Sequence, residues 1–207
     1  MAKLPQLVSA IADNDERPKE ALEWIARVIR EGGELPTTKR GSGASDMSFV
    51  EAAKLLIGAS VAEAQPKAAA SMVPRYWSLI GQNYSPNPIE SGVLAKVDAA
   101  PNFGSALAAL IEGSLEVTQM FMNYVINGNF AALRITFGRP TPYATIKIAV
   151  YPGGEERIQF EWKYRMDVQQ MQGGFYTYNE GDAASTRTIG LKTLLALYRA
   201  IAIDPAE

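Results

Sequence analysis

Lys39 and Arg40 stand side by side among the hydroxyls of Thr37, Thr38 and Ser42, in a loop that reads Leu-Pro-Thr-Thr-Lys-Arg-Gly-Ser-Gly-Ala from Leu35 to Ala44. Hydroxyls, adjacent cations and glycine-rich backbone in so short a loop suit phosphate contact, because backbone N–H groups and positive side chains can converge on one anion. Arg27 and Arg30 lie three apart on the helical pattern before the loop and would extend the same patch. Ser48 opens the helix after it, where free N-terminal amides favour an anion. These eight residues, Arg27, Arg30, Thr37, Thr38, Lys39, Arg40, Ser42 and Ser48, form the candidate DNA-binding set. The competing reading is a solvated connector. Residues 1–80 carry ten Lys/Arg against ten Asp/Glu, so the segment has no net charge of its own to attract DNA.

Other chemistries find less support. The chain has no cysteine and no histidine. Thiolate metal sites, cysteine nucleophiles, Ser-His pairs and imidazole ligands are therefore excluded. Glu155, Glu156, Asp167, Glu180 and Asp182 fall mostly in turns and show no paired spacing on one rigid element, as acid-base or metal work would want. Gly153-Gly154 and Gly173-Gly174 lack the Lys-Ser/Thr ending of a phosphate-binding loop. No enzyme, metal or cofactor is expected. Trp162, Tyr164, Phe175, Tyr176 and Tyr178 could stack bases, but strand alternation already assigns Trp162 and Tyr164 to a core.

The elements that would position the loop follow from hydrophobic spacing. Leu4, Leu7, Val8 and Ile11 predict a first helix over about residues 4 to 13, and Leu22, Ile25, Ala26, Val28 and Ile29 a second that stops at Gly32-Gly33. Ser48 and Glu51 read as a capping box ahead of an apolar third helix. Residues 68 to 80 form a fourth pattern, with Pro74 expected to shorten or kink it. Helices joined through a basic, glycine-bearing connector suit a helix-turn-helix variant with a small wing.

Further on, residues 103 to 126 read as one long amphipathic helix. Residues 131 to 137, 143 to 151 and 158 to 166 read as strands. Ile158, Phe160, Trp162, Tyr164 and Met166 alternate with polar neighbours, as expected where one sheet face is covered. A short strand at 173 to 178, a polar loop at 179 to 185 and a closing helix from Leu191 complete the pattern. The expected fold is α+β: a helical, helix-turn-helix-like module at 1–80, a linker at 81–102, and at 103–207 an antiparallel sheet of three to four strands flanked by two helices.

The run from Ala26 to Pro36, the loop residues 37 to 44, Met47-Ser48 and Ala52-Ala53-Lys54-Leu55-Leu56-Ile57-Gly58 resemble the N-terminal module of phage and prophage proteins usually taken for DNA-binding regulators. The likeness covers about residues 20 to 60. It implies a phage-type, DNA-binding transcriptional regulator with a C-terminal dimerisation or partner-binding module. The alternative is a phage interaction protein without nucleic acid, either an inhibitor of a host defence complex or a virion assembly component. The neutral N-terminal segment and the surplus apolar faces of the 103–126 and 191–202 helices favour it; the simpler reading of that surplus is intramolecular core, and the alternative is a homodimer seam. With no run near the roughly 18 apolar residues of a membrane span, a cytoplasmic protein without membrane contact is expected.

Overall fold

A computed structural model of the chain describes residues 2–37, 45–62, 65–89, 92–166 and 185–202. Four helices come first: α1 (Leu4–Ala12), α2 (Lys19–Glu31), α3 (Phe49–Val61) and α4 (Ala69–Trp77). The strand β1 (Ile80–Asn83) follows, then α5 (Gly92–Asp98), α6 (Phe103–Glu112) and α7 (Ser114–Ile126). Three strands, β2 (Phe130–Arg139), β3 (Tyr143–Tyr151) and β4 (Arg157–Arg165), lead to β5 (Ser185–Gly190) and the last helix, α8 (Leu191–Ala202). The α+β class expected from the alternation is what the chain forms.

The sheet is wider than the sequence suggests. Five strands pair antiparallel in the order β1-β4-β3-β2-β5, against an expectation of three to four. The two additions are the edge strands, each too short or too polar to alternate visibly. The short strand expected over 173 to 178, with Phe175, Tyr176 and Tyr178, lies outside the described residues. Leu133, Ile135, Phe137, Ile146, Ile148, Phe160, Trp162 and Tyr164 turn to the covered face and are buried. Tyr143 lies on the opposite face, directly across from Gly138, with its ring where a Gly138 side chain would stand. An aromatic ring over a strand glycine covers exposed backbone that would otherwise weaken the pair.

One continuous core joins the two halves of the chain. The helix α3 packs between α2 and α4 on one side and α6 and β2 on the other, while α1 packs on α8. The Tyr76 hydroxyl donates to the Gly138 carbonyl across that junction. Burial pushes the Tyr76 phenol up to about 12, with the Arg139 charge opposing. Residues 81–102, read from the sequence as a linker, supply most of β1 and all of α5, whose Val93, Leu94 and Val97 are buried. The single helix expected over 103–126 is two. Gly113 ends α6, and Val93 of α5 rests where a side chain at that position would point.

A second junction is ionic. Asp15 in the α1–α2 loop accepts hydrogen bonds from Nε of Arg17 at 2.9 Å, Nη2 of Arg17 at 2.7 Å, its backbone N–H at 3.0 Å and Nη2 of Arg187 on β5 at 2.6 Å. Burial raises the Asp15 carboxyl, but the Arg17 hydrogen bonds and the charges of Arg17 and Arg187 outweigh it and hold the group at about 2.

Candidate functional site

The residues of the candidate DNA-binding set do not share one fate. Thr38, Lys39, Arg40 and Ser42 lie outside the described residues, as does the wing expected around them. Arg27 is exposed on α2 with its guanidinium 5.8 Å from the Trp24 ring centroid, and Arg30 is half-buried in the last turn of the same helix. Thr37 is exposed. Near it, Glu34 meets Lys54 of α3 at 3.2 Å, so the flank of the loop carries a closed ion pair.

Ser48 has a structural task. It caps α3, accepting the Val50 N–H at 3.2 Å, while its own N–H donates to Oε2 of Glu51 at 2.8 Å and its hydroxyl donates to the same oxygen. Burial raises the Glu51 carboxyl, but these Ser48 bonds prevail and hold it below the usual carboxylate range. The capping box read from the sequence is therefore present. Its carboxylate stands at the helix N-terminus, the position an external phosphate would need.

The helix α3 itself is enclosed. Nine of its thirteen residues, Ala52, Ala53 and every position from Leu55 to Val61, are buried. A helix that reads DNA must lay one face in the major groove. The face pattern of α3 leaves none for it.

The strongest exposed feature lies elsewhere. Five of the ten large hydrophobics exposed among the described residues fall between positions 115 and 130: Leu115, Met122, Val125, Ile126 and Phe130, with Ile126 at 77% and Phe130 at 63% exposure. Leu115, Gln119, Met122 and Ile126 follow one another at steps of four, three and four along α7, which places them on a single stripe. The inward face of the same helix carries Ser114, Val117 and Phe121. The one charged residue of α7, Glu116, turns its Oε1 to the Val93 N–H at 3.1 Å. An open groove of about 490 Å³ between α5 and α7 adjoins the stripe. Leu115, Met122 and Ile126 group on one side of α7 the kind of exposed apolar side chain that soluble monomers more often scatter singly. The sequence shows that this helix carries more apolar residue than a small sheet requires. It does not show which of the two faces stays uncovered.

The side of the sheet that no described helix covers is different in kind. Cross-strand pairing sets Gln82, Lys163, Thr145, Thr136 and Thr188 in one row, Ile80, Arg165, Tyr143, Gly138 and Thr186 in the next, and Glu161, Lys147, Arg134 and Gly190 in a third. At its end Glu156 accepts from Arg134 Nη1 at 3.1 Å, Lys147 Nζ at 2.7 Å and the Tyr151 hydroxyl at 2.6 Å. The hydrogen bond from Lys147, followed by that from Tyr151, holds the Glu156 carboxyl below the ordinary range. No group of three or more acidic side chains able to hold a metal occurs among the described residues. No helix among them is long and apolar enough to cross a membrane.

No family model, curated protein or solved structure matches this chain.

Proposed function

We propose that the chain is a non-enzymatic interaction protein that assembles through the outer face of α7, with a second copy of itself as the partner. The observation that carries this reading is the stripe Leu115–Gln119–Met122–Ile126, continued by Val125 and Phe130. Its four-three-four spacing is that of a helix–helix seam. Two copies related by a two-fold axis near the middle of the helix would set Leu115 of one against Ile126 of the other, which is the self-complementarity a closed dimer needs. In that register Glu116, which accepts the Val93 N–H at 3.1 Å, lies opposite Val125, so no like charges oppose each other across the axis. Burial of the seam would remove apolar surface from water at about 25 cal/mol per Å².

Of the two readings drawn from the sequence, this one keeps the protein–protein assembly of the second, in its virion-assembly form, and sets aside the operator-reading helix of the first. The operator-reading regulator needs an exposed recognition helix after the basic loop, and α3 is buried.

The chain has no cysteine, so a single introduced thiol reports its neighbours without background. Gln119→Cys should give a disulfide-linked dimer on mild oxidation, reversible with reductant. Glu20→Cys, on the exposed side of α2, serves as the control. If Gln119→Cys links no faster than the control, α7 is not the seam.

A further inference from the structure

The face of the sheet left open among the described residues carries a pattern that the α7 seam does not use. Four cations, Arg134, Lys147, Lys163 and Arg165, sit on it against two carboxylates, Glu156 and Glu161. That is an excess of positive charge on a chain whose net charge is −2. Three tyrosines are interleaved with the cations. Lys163 Nζ stands 4.7 Å from the Tyr84 ring centroid, and the Arg134 guanidinium stands 5.8 Å from that of Tyr151. Tyr143 lies across the sheet from Arg165. Thr136, Thr145 and Thr188 add hydroxyls to the row of Lys163, and Thr186 adds one to the row of Arg165 and Tyr143.

From this juxtaposition we infer that the open sheet face binds single-stranded nucleic acid. Cations and hydroxyls would track the phosphates, and the tyrosines would stack unpaired bases. From Tyr143 to Tyr151 the strand runs about 26 Å at 3.3 Å per residue, enough for several nucleotides in an extended strand. A duplex fits the surface poorly, because its bases are already stacked and a face five strands wide, at about 4.8 Å per strand, is too broad for a groove of about 12 Å. Charge complementarity selects a polyanion, and the aromatic rings select one with exposed bases.

The ion pairs on the face are compatible with this occupant. Glu156 gathers Arg134, Lys147 and Tyr151 onto one carboxylate, in the manner a phosphate oxygen would be held. Exposed pairs of this kind contribute little to stability, so a phosphate backbone can displace the carboxylate. The internal acid then acts as a competitor for the site, and its removal should strengthen binding.

The test is fluorescence anisotropy of the intact chain with labelled oligothymidylate and oligouridylate of about 20 nucleotides at about 50 mM salt. Binding is expected to both, with either sugar, and weaker to a duplex of equal length. Arg134→Ala with Lys147→Ala should weaken it about tenfold or more, and each cation–phosphate pairing so removed should lower the salt slope by about 0.7. Tyr84→Ala should cost roughly tenfold through the missing stacking partner. Glu156→Gln should raise affinity several-fold, a gain that misfolding could not produce. Absence of single-strand binding overturns the inference, as does equal affinity for duplex or heparin with no effect of Tyr84→Ala. Cross-linking through α7 is read separately, so either proposal can fail while the other stands.

Discussion

The helices α3 and α7 have the same length and are both rich in apolar residues, yet the fold treats them oppositely. Other helices and the sheet surround α3, so its apolar character on every side is absorbed by the core. The helix α7 covers the sheet with one narrow face and presents a second apolar stripe outward. Apolar content therefore reports packing in one helix and an unoccupied surface in the other. Only the arrangement of neighbours separates them.

Stability measurements can break this contrast. Leu55→Ala in α3 should cost about 2–5 kcal/mol in chemical denaturation, since it leaves a cavity where a fully buried side chain stood. Asp15→Asn should cost about 2 kcal/mol, because it removes the partner of Arg17 and Arg187 where β5 meets the α1–α2 loop. The sign of its pH dependence follows from a carboxyl held at about 2 against an ordinary value of 3.8. The Asp15 contribution is complete above pH 4 and fades as pH falls from there toward 2, and the Asp15→Asn variant should lack that decline. Ser48→Ala should cost about 1 kcal/mol through removal of the α3 cap. No such variant exists for α7, whose start has no side-chain cap. Smallest of all, Leu115→Ala should change the stability of the monomer by no more than about 0.5 kcal/mol. A cost there equal to that of Leu55→Ala would mean the outer face of α7 is core after all.

Much of the fold is legible in residue order alone, and the reasons for the misses are physical. Strand β4 announces itself because Phe160, Trp162 and Tyr164 alternate with wet neighbours over a covered face. The cap of α3 is visible because Ser48 and Glu51 satisfy each other locally. Strands β1 and β5 are not visible. Their four and six residues take their pairing from distant partners, and an edge strand has little buried side to betray it. The break at Gly113 depends on Val93, some twenty residues away. The candidate phosphate loop is conspicuous by residue type, but its core, Thr38 to Ala44, lies outside the described residues. Its described flanks hold a cap, a cation over a ring and a closed ion pair. The α7 stripe is legible as excess hydrophobicity. Its outward direction is not, because Val117 and Leu115 look alike until the sheet decides which is covered.

The assembly proposed for this chain rests on the outer stripe of α7 being a seam between two copies. Light scattering of the intact chain at increasing concentration, beside a Met122→Glu/Ile126→Glu variant, measures it directly. Twice the monomer mass is expected for the native chain, and a folded monomer with unchanged circular dichroism for the variant. A native chain that stays monomeric at every concentration, or a variant that dimerises as readily as the native chain, would contradict the seam.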